Sequence, residues 1–235
     1  MNGNQKRDTM TGIISDIHAN WDALKAVFAD GESRGVGDWI CLGDIVGYGA
    51  EPEKCIQSVK EHCRVIVQGN HDEAATLETN PDDFNPVARQ AILWTRYTLS
   101  PISREWLQGL PYTAREDNRL YVHASPHSPE LWNYIFTESE ARRQLAGLDA
   151  TIHLCFIGHT HEPFRFVAPS GAEMINVGSV GQPRDGDPRA SYVTLDATNG
   201  TTEFVRVEYD IESARQKILR AKLPPFLAER LLHGQ

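Results

Sequence analysis

The chain is poor in sulfur, in basic charge and in long apolar runs. Only four cysteines (Cys41, Cys55, Cys63 and Cys155) occur in 235 residues, none in a Cys-x-x-Cys pair, which argues against a disulfide scaffold or a thiolate zinc site. Cys41 and Cys155 lie inside apolar, strand-like runs, so reduced, buried thiols and a cytoplasmic location are expected. Lys and Arg number 23 against 32 Asp and Glu, a net charge of -9. Sequence-independent binding to nucleic acid requires a basic stripe, so no stable nucleic-acid complex is expected. A phosphate substrate stays compatible with this charge, because bound divalent cations can dominate a local field. No apolar run approaches the ~18 residues of a membrane span, and Met1 to Asp8 is polar, without an apolar leader. No membrane association is expected. Internal repeats and low-complexity tracts are also missing.

What is present is a hydrophobic content of 40%, enough for a substantial core. We read residues 1–235 as a single domain with a helical insert at about 81–110. Thr11 to Ser15, Asp38 to Leu42 and Arg64 to Gln68 read as strands. Between them, Asn20 can cap a helix carrying Leu24, Val27 and Phe28, and Glu51-Pro52 opens a second with Ile56, Val59 and Cys63 on one face. Strands alternating with helices predict βαβ units and a parallel sheet. Pro81 to Asn85 reads as a surface loop, followed by helices from Pro86 and Pro101 whose aromatics Trp94, Tyr97 and Trp106 are expected to pack inward. A hairpin around Glu116-Asp117-Asn118 and a capping box at Thr137-Glu138-Ser139-Glu140 follow. From Pro163 the pattern predicts antiparallel strands at 164–167, 173–177, 190–196 and 202–209, then two terminal helices. The fold class is α/β.

Polar clusters follow five strand-like runs: Asp16 with His18, Asp44, Asn70 with His71, His123, and His159 with His161. One such residue is ordinary loop chemistry. Five clusters in the same structural position would cost several kcal/mol to desolvate unless something paired them. Divalent metal is the natural partner, and imidazole with carboxylate but no thiolate suits Mn, Fe or Zn. These candidate ligands are too many for one ion. Two ions bridged by a carboxylate form a clamp for in-line displacement at phosphorus, and Asp44 in its glycine-rich loop is placed to bridge.

The ordered set Asp16-Ile17-His18, Gly43-Asp44, Gly69-Asn70-His71-Asp72, His123 and Gly158-His159-Thr160-His161 resembles the calcineurin-like metallophosphoesterase superfamily. Asn176-Val177-Gly178-Ser179 resembles the Asn-x-Gly-Ser loop of its smaller bacterial members. The resemblance implies a four-layer αββα sandwich of two packed mixed sheets flanked by helices. It implies one metal on Asp16, His18, Asp44 and His161, a second on Asp44, Asn70, His123 and His159, and a metal-bridging hydroxide as the attacking group. His71 would then be a catalytic residue beside the scissile phosphate, polarising it or protonating the leaving oxygen, with Asp72 placed by adjacency to orient it.

The run Ile45-Val46-Gly47-Tyr48-Gly49 lacks the arginine that protein phosphatases and symmetrical dinucleoside tetraphosphatases of that superfamily carry after the bridging Asp. This departure points to a phosphodiester of a small molecule or nucleotide as substrate. The alternatives are a phosphomonoester, a phosphoprotein, a dinucleoside polyphosphate, or a catalytically silent metal-binding scaffold. Tyr48 and Arg184 are candidate substrate contacts. Tyr48 reads first as a structural turn residue, and Arg184 as part of a solvated turn in which it pairs with Asp185 or Asp187.

Overall fold

The computed structural model describes residues 10–76, 81 and 84–235; Asp82 and Asp83 of the expected surface loop, and the polar N-terminus, lie outside the described residues. Strands β1 (Met10–Ile14), β2 (Val36–Cys41) and β3 (Cys63–Ile66) alternate with helices α1 (Trp21–Ser33) and α2 (Pro52–His62). Asn20 caps α1 by accepting from the Ala23 amide, and Pro52 occupies the first turn of α2. The three strands are mutually parallel. Helices α3 (Asn70–Thr76), α4 (Pro86–Thr98) and α5 (Pro101–Gln108) follow, then the hairpin β4 (Thr113–Glu116) and β5 (Arg119–Val122) and helix α6 (Glu138–Ala146), opened by the Thr137/Glu140 capping box. The chain ends with β6 (Leu154–Ile157), β7 (Phe164–Val167), β8 (Glu173–Asn176), β9 (Ala190–Asp196), β10 (Thr202–Val207), α7 (Ile211–Arg220) and α8 (Pro225–Glu229).

Two mixed five-stranded sheets result, ordered β10-β9-β1-β2-β3 and β4-β5-β6-β8-β7. Their layering follows from the two-residue period of strands. In the first sheet Ile13, Ile40 and Val193 face the second sheet, while Ile14, Cys41 and Tyr192 face α1 and α2. In the second sheet Tyr121, Phe156 and Ile175 point to the inter-sheet core, while Val122, Cys155 and Met174 pack outward with Ala141 and Leu145 of α6. The α/β sandwich is therefore dictated by strands that are apolar on both faces. All four cysteines are free and buried. No helix among the described residues is long and apolar enough to cross a membrane.

Four local expectations are corrected. Cys63 begins β3 rather than ending α2. Asn70 to Asp72, expected in a turn, form the first turn of α3, where Asp72 and Glu73 complement the helix dipole. The strands after Pro163 do not form one antiparallel sheet: β8 pairs parallel with β6, and β9 crosses to the first sheet beside β1. Period-two alternation predicts a strand without naming its partner. Tyr97 is 90% exposed rather than inward-facing, because α4 buries the face of Ala88, Ala91, Ile92 and Thr95.

Trp39 shows how tightly the first sheet is shaped. A Cβ on Gly12 of β1 or on Gly31 of α1 would collide with its ring, which also packs on Phe28 and Tyr192. Gly12→Ala is expected to destabilise the protein by ~1–3 kcal/mol, the range for overpacking a filled core, as a lower midpoint in urea unfolding followed by tryptophan fluorescence. An unchanged midpoint would show that Trp39 has room to move.

Candidate metal centre

Each polar cluster leaves the carboxyl end of a parallel strand: Asp16 after β1, Asp44 after β2, Asn70 after β3, His123 after β5 and His159 after β6. The two parallel trios bring these ends together at one edge of the sandwich. Asp16, His18, Asp44, His123 and His161 are all at most 2% exposed. Asp16, His18, Asp44, His159 and His161 hold positive φ angles of 50–68°, a conformation that costs about 1–3 kcal/mol for a non-glycine residue and persists only where its surroundings enforce it. Gly43, at φ 94°, supports the same packing: a Cβ there would lie 2.5 Å from the Gly69 amide nitrogen, and one on Gly69 would collide with Asp44.

Outer hydrogen bonds orient four imidazoles. His18 Nδ1 donates to the Val46 carbonyl (3.1 Å), His123 Nδ1 to Leu42 (2.9 Å), His161 Nδ1 to Gln182 (2.6 Å) and His159 Nε2 to Trp132 (3.0 Å). The remaining ring nitrogen of each therefore points inward, as metal-ligating histidines require. His18 Nε2 and His161 Nε2 then face one another at 3.1 Å, as do His123 Nε2 and His159 Nδ1. Asp16 Oδ1 lies 3.2 Å from His161 Nε2 and, although buried, accepts no hydrogen bond. Asp44 Oδ1 accepts from the His71 amide (2.8 Å), leaving Oδ2 3.4 Å from His123 Nε2 and 3.6 Å from His18 Nε2. Asn70 Oδ1 is 3.2 Å from His123 Nε2.

Three overlapping groups can each hold a metal ion: Asp16/His18/His161, His18/Asp44/His71 and Asp44/His123/His159. Burial pushes His18, His159 and His161 down, so these rings are neutral at pH 7. Two neutral rings whose outer N–H groups serve carbonyls present lone pair to lone pair across 3.1 Å, a repulsion that a cation between them would convert into attraction. Burial opposes ionisation of Asp16 and Asp44, yet neighbouring imidazoles, His161 and His123 for Asp16 and His123 and His71 for Asp44, hold both well below the usual carboxylate range. Donor set and orientation fit a hard or borderline divalent cation.

The other expected site residues are placed as follows. His71 is buried and its Nδ1 has no hydrogen-bond partner; burial, with Asp44 opposing and Arg184 assisting, lowers it to about 4. Asp72 meets the backbone rather than the His71 ring: its oxygens accept from Val46 (3.1 Å) and Gly69 (3.2 Å), joining the Asp44 loop to α3. Burial and the Asp44 charge push it up to about 8. Tyr48, 7% exposed, stacks obliquely on His71 and His18 with centroids at 4.4 and 4.6 Å. Arg184 does not pair with its acidic neighbours, because Asp185 meets Arg206 and Asp187 meets Arg189. Instead its Nη2 donates to Gln182 Oε1 (3.0 Å), and its backbone amide to the His161 carbonyl (3.3 Å). Ser179 Oγ donates to the Asp16 carbonyl, and Asn176 Nδ2 to Gly158 and Thr160, so the Asn-x-Gly-Ser loop braces both metal-facing turns.

Sequence reasoning missed Trp132 and Tyr134. The Trp132 carbonyl sets the His159 tautomer, and the Tyr134 ring stacks on His159 at 4.1 Å. Trp132 is tied in turn through its indole to Glu73 (3.1 Å), which also accepts from Tyr112. Aromatic crowding in the loop at 131–136 was the available signal.

The family model for the calcineurin-like phosphoesterase superfamily domain matches residues 10–200. The chain belongs to this superfamily. As a member it is a metal-dependent phosphoester hydrolase. It is 37% identical to the uncharacterized protein MJ0912 of Methanocaldococcus jannaschii, with 97% of this chain and 99% of that protein aligned. The crystal structure of a metallophosphoesterase from Sphaerobacter thermophilus superposes with a TM-score of 0.86 at 38% identity, covering 96% of this chain and 99% of that one. The hypothetical protein PH1004 from Pyrococcus horikoshii shares the fold, with a TM-score of 0.83 at 20% identity over 96% of this chain and 98% of that one.

His123 supplies a pH test of the centre. Burial would lower its imidazole, but Asp44 and Asp16 outweigh burial and hold it up to about 9. In the metal-free protein a proton therefore occupies ground that a cation would take, and cation binding must expel it. Divalent-cation affinity is expected to rise about tenfold per pH unit from pH 7 towards pH 9 and to level off above it. Titration of chelator-stripped protein with Mn²⁺ at several pH values checks this; a flat profile between pH 7 and 9 would contradict it.

Proposed function

We propose that this chain hydrolyses a phosphodiester of a small molecule or nucleotide with two divalent cations, Mn, Fe or Zn. Asp16, His18, Asp44 and His161 would hold one, and Asp44, Asn70, His123 and His159 the other. The observation that carries this reading is the pair of inward-facing imidazole couples, His18/His161 and His123/His159, with Asp44 Oδ2 directed at both. When bound, such ions polarise phosphoryl oxygens and lower the pKa of the attacking water.

The chain's own residues account for positioning and proton handling. The His71 amide and the Asp72 carboxyl group lock the Asp44 loop to the first turn of α3, so Asp44 Oδ2 would be pre-oriented toward bound cations. His71, neutral at pH 7, keeps one ring N–H and is flanked by Tyr48 and Phe84. A neutral imidazole is a hydrogen-bond donor to the phosphoryl or leaving oxygen, which favours polarisation over full proton transfer. Gly47 allows the ring this position, since a Cβ there would lie 2.5 Å from His71 Nδ1. Where the phosphatase branch places an arginine after the bridging aspartate, this chain has Tyr48, and the guanidinium near His71 comes from Arg184 on another loop. Fewer cations directly against the scissile phosphorus suit a diester monoanion better than a monoester dianion.

With Mn²⁺ supplied, hydrolysis of an aryl phosphodiester is expected to exceed that of the matching monoester. His71→Ala should lower kcat on the order of 10²–10³-fold, the range for loss of one pre-oriented donor, while elemental analysis still finds the wild-type metal content. Loss of a metal in that variant would make His71 a ligand, as the His18/Asp44/His71 group permits. Monoester-only turnover would overturn the diester assignment.

A further inference from the structure

Beside His71 a cavity of about 400 Å³ opens, lined by Tyr48, Phe84, Tyr134, Arg184, Phe226 and Arg230 among others. Among the described residues, no Asp or Glu lines it. Arg184 enters from the loop after β8 and Arg230 from the turn Arg230–Leu232 that follows α8. Both guanidiniums lack a carboxylate side chain among the described residues. Arg184 is held by the Gln182 amide oxygen, has a buried Nε with no partner, and lies 5.9 Å from the Tyr48 ring centroid. Arg230 donates through Nε to the Gln235 main-chain oxygen and lies 5.2 Å from the Phe226 ring centroid. Burial and the Arg184 charge bring Arg230 down to about 10, so it stays cationic at neutral pH. Leu227, Ala228 and Leu231 pack with Tyr48 in one cluster, which fixes Arg230 against the cavity wall.

Two half-buried guanidiniums directed into one cavity repel one another and forgo hydration. Such a pair becomes favourable when an anion with several acceptor oxygens lies between them, and phosphate matches the guanidinium fork. The scissile group at the metal centre is already served by His71 and the candidate ligands. We infer that Arg184 and Arg230 form a subsite for a second phosphate group, so that the substrate is a phosphodiester that carries a further phosphate, adjacent or spaced, rather than a simple diester. This inference rests on the phosphoesterase reading above and adds the group that selects among phosphoesters. Arg184 lies within residues 10–200 matched by the family model and Arg230 beyond them, so the subsite would join the catalytic domain to its C-terminal segment.

The test is isothermal titration of the Mn²⁺-loaded protein with adenosine 5′-monophosphate, adenosine 5′-diphosphate and adenosine 3′,5′-bisphosphate, with aryl phosphodiester turnover recorded on the same samples. The second phosphate is expected to tighten binding at least about tenfold for one of the two doubly phosphorylated probes, the scale of a charge-assisted bidentate pair. Which probe gains separates adjacent from spaced phosphates. Arg184→Ala and Arg230→Ala should each remove most of that gain, Arg230→Lys should restore part of it, and Arg230→Gln, which keeps the aliphatic stem, should behave like Arg230→Ala if charge rather than packing is responsible. Equal affinity for all three nucleotides in the wild type, or a gain that survives both arginine substitutions, would overturn the subsite. Absence of aryl diester turnover beside an arginine-dependent gain would instead fail the phosphodiesterase reading and leave the subsite standing.

Discussion

The arrangement on which the rest depends is the burial of two carboxylates among four imidazoles whose outer nitrogens are all engaged by backbone carbonyls. Once Val46, Leu42, Gln182 and Trp132 take the outer N–H groups, the inner nitrogens face one another and Asp16 Oδ1 is left without a donor. Low local dielectric makes that state costly without a cation. The centre is therefore built as much from backbone acceptors as from the candidate ligands whose inner nitrogens they turn towards one another.

Holding such a cluster requires the chain to concentrate strain where it concentrates chemistry. Positive φ at Asp16, His18, Asp44, His159 and His161 turns each loop sharply as it leaves its strand. The layers behind supply the restraint: Ile13, Ile40, Tyr121, Phe156 and Ile175 are almost fully buried between the sheets, and parallel pairing aligns the strand ends from which the loops emerge. The β8 to β9 connection contributes a second kind of restraint. By crossing from one sheet to the other it carries Ser179 to the Asp16 carbonyl and Gln182 to His161, so the two halves of the centre are tied by one loop. The opposite wall is closed by Trp132, pinned through Glu73 to the helix that bears His71.

Much of this architecture was legible in the residues. Strand-like runs alternating with capped helices marked β1 to β3, α1 and α2, and polar residues after apolar runs marked every candidate ligand, because strand-end loops have a recognisable local composition. The Thr137/Glu140 capping box was legible for the same reason: it involves neighbours in sequence. Less legible were the partners of β8 and β9, the exposure of Tyr97 and the start of α3 at Asn70, since each is decided by what packs against the segment rather than by its own pattern.

By itself, then, the sequence determined most element types, the chemical identity of the candidate ligands and their order along the chain, all of which are short-range properties of composition and period. Only the tertiary structure decided which atoms face inward and which charges remain uncompensated. Arg184 illustrates the difference. Its neighbours Asp185 and Asp187 are adjacent in sequence, yet they pair with Arg206 and Arg189, and Arg184 turns instead toward Tyr48 and the cavity it shares with Arg230, 46 positions away along the chain. Pairing of charges and choice of histidine tautomer depend on distances between segments remote in sequence, and those distances exist only once both sheets have closed on their common core.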